Sequence, residues 1–240
     1  MTMALHNRMY QVAFPDMKNP VGFDGICGEL DRTGQHHLDQ IAAALESLAP
    51  RPGALVFAET RTLAIQLNGL EAVLFTALDA TTFLQVAQVY VTMTTASAVS
   101  FIDFVSSSVP FNIERIATRD ERPFRNGSAG AAQRHFSEIM KDKGYLHAPV
   151  STAAEDALFS LAQKSMFGGI SEGAVIGASE GELQRELNHF IFFHNNYRSV
   201  PWIRGLTPLQ KLGEFKEFTW MHSFDPFGYP GRRSFARHAT

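Results

Sequence analysis

Four carboxylates stand where an acid needs a reason: Glu59, Asp79, Asp120 and Glu155. A carboxylate can offer hard oxygen to a cation, take up a proton, or accept hydrogen bonds from free backbone N–H groups. Glu59 interrupts an apolar stretch, Gly53 to Ile65, GALVFAETRTLAI. Asp79 closes another, Val73 to Leu78, just before the polar turn Ala80-Thr81-Thr82. A turn role suffices for Asp79, because a short acidic side chain bonds readily to backbone N–H groups near it. Glu155 ends Thr152-Ala153-Ala154-Glu155, a capping box in which threonine and glutamate satisfy free N–H groups at a helix start. Asp120 lies in Thr118-Arg119-Asp120-Glu121-Arg122-Pro123-Phe124.

The remaining reactive side chains do not complete a site. His36-His37 is an adjacent pair with nothing to finish a metal centre. His189 and His194 are five residues apart, off the spacing that sets two side chains on one helix face. Cys27 is the lone cysteine, so no internal disulfide is possible, which suits a reducing compartment. The glycine-rich stretch Phe167 to Ala178, FGGISEGAVIGA, lacks the spacing and the lysine of a phosphate-binding loop and reads as a connection. Arg232, Arg233 and Arg237 make the C-terminus basic, a solvated tail.

The elements that must position these residues follow from periodicity. Val73 to Leu78, the turn, and Leu84 to Thr92 read as two strands, rich in residues that suit a pleated surface. Thr94-Thr95 then caps a helix over Ala96 to Val109, ended by Pro110. Gly53 to Ile65 is the first strand and its exit, and Asn112 to Thr118 and Tyr145 to Val150 are shorter strands. Helices are expected over Gln35–Ala49, Ala131–Lys141, Thr152–Met166 and Gly181–Asn195, the last opened by a capping box at Ser179 and Glu182. The 240 residues, 45% hydrophobic, suffice for one large domain with appendages. No apolar run approaches the ~18 residues of a membrane helix, and the N-terminus has no apolar signal core. A soluble, cytoplasmic protein is expected. The net charge of -3 gives no basic footprint for nucleic acid.

In order along the chain, these segments resemble the integrase core of bacterial insertion-sequence transposases and retroviral integrases. Thr76-Ala77-Leu78-Asp79-Ala80-Thr81-Thr82 is similar to that family's "TAIDDATR" turn, with Phe83 at its arginine. Gly53-Ala54-Leu55-Val56 opens a strand like its "G-x-L-V-x-x-D-x-x-x-L". Gly205 to Leu212 matches its "G-x-T-P-x-x-x-L", and Asn195 to Pro201 is similar to its "Y-N-x-x-R-P-H". His147 takes the histidine of "F-x-x-x-L-x-x-x-G-I-x-H". The resemblance implies an α/β, ribonuclease H-like core: a mixed sheet with helices on both faces. It covers residues 51–213, leaving residues 1–50 as an N-terminal extension and 214–240 as an aromatic and basic tail.

The family cuts and joins DNA strands with two magnesium ions held by three carboxylates. By resemblance the first falls on Glu59. The second, the aspartate of "T-D-N-G-x-E-F", falls on Arg119, with Asp120 one residue late. The third falls on Phe159, with Glu155 one helical turn earlier. Arginine brings positive charge to a cation's place and phenylalanine offers no ligand. The leading expectation is therefore a catalytically inactive transposase-like protein, serving as a binding or structural subunit, with no cofactor. The alternative is an active DNA transposase with magnesium or manganese on Glu59, Asp120 and Glu155. DNA binding is expected to be weak or absent. A homodimer or hetero-complex is expected through the tail aromatics Phe218, Trp220, Phe224 and Phe227, since such side chains concentrate interface energy.

Overall fold

A computed structural model describes residues 41–67, 69–124, 135–167 and 179–227. A helix, α1, occupies residues 41–48. It is followed by β1 (Val56–Leu67), β2 (Leu70–Asp79), β3 (Gln85–Tyr90), α2 (Thr95–Ser108) and β4 (Arg115–Thr118). Next come α3 (Phe136–Asp142), β5 (Leu146–Pro149), α4 (Ala153–Phe167), α5 (Glu180–Tyr197) and the short α6 (Pro208–Gly213). His36-His37, Cys27, the glycine-rich connection after Phe167 and the three C-terminal arginines lie outside the described residues.

The strand order is β3-β2-β1-β4-β5. The first three strands form an antiparallel meander, while β4 runs parallel to β1 and β5 parallel to β4. This is the mixed, ribonuclease H-like sheet that the resemblance implies. Strand alternation assigns its two faces. Val56 and Ala58, with Val73, Phe75 and Ala77, meet Phe101, Ile102 and Val105 of α2 and Phe136 of α3. Phe57 and Leu78 turn the other way, onto Leu45 of α1 and Leu158, Phe159 and Ala162 of α4. Leu74, Ala87 and Val89 on that side meet Leu183, Leu187 and Ile191 of α5.

The turn after β2 is held by Asp79. Its Oδ1 accepts the N–H of Gly53 at 2.8 Å, and its Oδ2 accepts the N–H and hydroxyl of Thr82 at 2.8 and 2.7 Å. Gly53 has φ +82°, and a Cβ there would meet Asn112 O at 2.0 Å, so only glycine fits this crossing. The turn role read from sequence for Asp79 is thus seen in place, and it reaches across 26 residues. The expected strand Asn112–Thr118 begins only at Arg115. Before that, the chain passes under the Gly53 loop, where Glu114 N–H donates to Gly53 O.

Two features depart from the sequence reading. First, α5 covers the open edge of β3 as well as the apolar face. The Asn195 amide accepts from Gln85 N and donates to Gln85 O, both at 2.8 Å, standing in for a neighbouring strand. The Gln184 carbonyl accepts Val89 N at 2.8 Å. Second, the tail aromatics expected to anchor a partner fold back instead. Phe224 is 1% exposed and lies with Met221 in the α2 core, Phe218 packs against that core, and Phe227 stacks on Phe104 at 5.8 Å. Only Trp220 among those named stays substantially exposed, its indole donating to Glu217 O at 2.7 Å. Apolar side chains in an aromatic-rich segment find the nearest uncovered core, here their own. With Leu45 and Ala49 of the N-terminal side also buried, the core extends past residues 51–213 at both ends.

Candidate functional site

The site lies where β1 and β4 part. Only Val56–Phe57 of β1 pairs with Ile116–Ala117 of β4. Beyond them the two strands no longer pair, and α4 packs against β1. Glu59 shares its face of β1 with Phe57, toward α4. Arg119 shares its face of the β4 exit with Ala117, so it too turns toward α4.

The structure brings Glu59, Arg119 and Phe159 together. The Arg119 guanidinium sits 5.1 Å from the Phe159 ring centroid, and Phe159 packs edge-on against Phe57 at 5.2 Å. Arg119 Nη1 pairs with Asp156 at 3.1 Å, and Nη2 donates to Ser160 Oγ at 3.3 Å. Gln163 donates its amide to Glu59 Oε1 at 2.6 Å, while Glu59 Oε2 is buried with no hydrogen-bond partner. Burial pushes the Glu59 carboxyl up to about 7, against the Gln163 hydrogen bond and the Arg119 charge.

Asp120 and Glu155 are not gathered beside Glu59. Asp120 is an exposed residue in the bend that follows β4, where its charge acts on His147. Glu155 pairs with Arg115 and accepts from Ser151 N–H at 3.3 Å, and its own N–H donates to Thr152 Oγ1 at 3.1 Å. Burial alone would raise the Glu155 carboxyl. The Arg115 and Ser151 hydrogen bonds outweigh it and hold the group below its usual range. Among the described residues, no three His, Cys, Asp or Glu side chains come together to hold a metal ion. The positions that the resemblance assigns to the magnesium ligands thus carry one carboxylate, a guanidinium and a phenyl ring, a set poor in the hard oxygen that magnesium takes.

His147 is a packed residue between β4 and α3. Its ring nitrogens bond Thr118 Oγ1 at 2.9 Å and Ser137 Oγ at 2.6 Å, and the ring packs in a T-shape with Phe136 at 4.8 Å. Burial pushes it down to about 4, despite the Asp120 charge.

Sequence reasoning missed Asp156, Ser160 and Gln163, the three residues of α4 that hold Arg119 and Glu59. Their spacing, i, i+4 and i+7, marks one helical stripe beside Phe159, a signal present in the sequence.

No family model matches this sequence, and no curated protein matches it. Solved structures do. The HTLV-2 integrase catalytic core domain in complex with magnesium (dimeric form) is similar over 68% of this chain and 96% of its own, at 12% identity and TM-score 0.45. The BIV integrase catalytic core domain is similar over 70% and 99%, at 14% identity and TM-score 0.45. The simian T-cell lymphotropic virus intasome in complex with PP2A regulatory subunit B56 gamma matches over 68% and 55%, at 11% identity and TM-score 0.48. The fold itself rests on this chain's own strand order and on the helices that cover the sheet.

Proposed function

We propose that this chain is a non-catalytic relative of transposase and integrase cores, serving as a binding or structural subunit of the DNA integration and recombination class. One observation carries the reading. At the junction of β1, β4 and α4, a guanidinium held by Asp156 and Ser160 stands where a second carboxylate would be needed. Two-metal chemistry depends on carboxylate oxygens that clamp two ions about 3.5–4 Å apart. A fixed positive charge at that point repels both ions, and Phe159 donates nothing to either.

Weak DNA affinity goes with this reading. Phosphate contacts supply most non-specific affinity, and the net charge is -3. The test is a labelled DNA duplex incubated with the natural chain and magnesium or manganese. The expected result is no metal-dependent strand cleavage or joining. Cleavage that disappears in Glu59→Gln would overturn the proposal and favour the active alternative.

A further inference from the structure

We propose that Arg119 is a tethered cation that clasps α4 to the end of β4, in a site shaped for a planar guanidinium rather than a hard dication. The inference rests on the reading above that no metal is held here.

Three contacts shape the site. Asp156 neutralises one edge of the guanidinium, and Ser160 accepts from another. The Phe159 ring offers its π-face at 5.1 Å. An aromatic face favours a weakly hydrated, delocalised cation such as guanidinium. Magnesium and manganese demand several oxygen ligands and give up water reluctantly, and a phenyl face offers no oxygen to replace that water. Asp156 and Ser160 sit on α4 while Arg119 leaves β4, so the contact joins helix to strand. Phe159 is fully buried beneath it.

The test is chemical complementation of the full chain. Arg119→Ala is expected to lower the melting temperature by roughly 2–4 °C, the shift for losing one ordinary interaction in a chain of this size. Low-millimolar guanidinium chloride should recover most of that loss, measured against sodium chloride at the same ionic strength. Manganese should recover none. Arg119→Lys keeps the charge without the planar fork and should recover part; it also serves if the alanine variant does not fold. An Arg119→Ala variant as stable as the natural chain, or one that guanidinium does not help, would overturn the clasp while leaving the non-catalytic reading intact. Stabilisation by manganese of the natural chain itself would overturn both.

Discussion

The amide of Gln163 reaches 2.6 Å to Glu59 Oε1, joining the last polar residue of the α4 stripe to the acid on β1. It leaves Oε2 buried and unpaired, and the carboxyl sits near neutrality because burial opposes its charge. Gln163→Leu should remove the one side-chain hydrogen bond, among the described residues, that favours the ionised form. The Glu59 carboxyl should then titrate higher, a shift that carbon NMR of the side chain can follow. An unchanged midpoint would mean that Gln163 does not tune this acid.

Asp79 ties the turn after β2 to the Gly53 loop ahead of β1. Asp79→Ala strands the N–H groups of Gly53 and Thr82 in a buried place, and should cost about 3 kcal/mol. Gly53→Ala forces a Cβ onto Asn112 O and should cost at least about 2 kcal/mol. Urea unfolding checks both. A loss under about 0.5 kcal/mol in either would show that this loop can relax.

Asn195 replaces a strand at the edge of β3. Asn195→Ala should cost about 2–3 kcal/mol and speed hydrogen exchange at the Gln85 amide, since both backbone groups of Gln85 lose their partner. Exchange at Gln85 no faster than in the natural chain would contradict the edge-covering role.

The tail prediction changes with the structure. Phe224→Ala should destabilise the chain by about 3–5 kcal/mol through cavity formation, without needing any partner. Truncation after Leu212 should unfold or loosen the α2 side, where Met221 and Phe224 are buried. A truncated chain with an unchanged melting temperature would return these aromatics to the surface.

The pH dependence has opposing parts. His147 is held near 4, below its ordinary 6.5, so its contribution is complete above pH 6.5 and is lost as pH falls through 4. Glu59 and Asp79 are raised, to about 7 and about 6, so their contributions are complete below about 4 and are lost as pH rises through those values. The variant is therefore the clean readout. His147→Gln should lose stability less steeply than the natural chain between pH 6.5 and 4. Equal slopes would mean that the histidine is not buried neutral.

Much of this fold is legible in local sequence. Strand alternation around Phe57 and Phe75 separates the two faces, and Ser179 with Glu182 marks the start of α5. The meeting of Glu59, Arg119 and Phe159 is legible only through ordered resemblance, because nothing local joins residues 60 and 40 positions apart. The clasp is hidden for a related reason. Asp156 and Ser160 look like a solvated helix stripe until β4 delivers Arg119 against them. Asn195 looks like helix-end polarity until the edge of β3 arrives. In the tail, composition shows that the aromatics must be covered, but not by what; their own core covers most of them.

We propose that the junction of β1, β4 and α4 holds a guanidinium in place of metal ions. Calorimetric titration with manganese tests it most directly, on the natural chain and on the triple variant Glu59→Asp, Arg119→Asp, Phe159→Glu. The account predicts no site-specific binding by the natural chain and measurable binding by the variant, which regains three carboxylates. Tight manganese binding by the natural chain that vanishes on Glu155→Gln would contradict it, and would leave the site of Glu59, Asp120 and Glu155 standing.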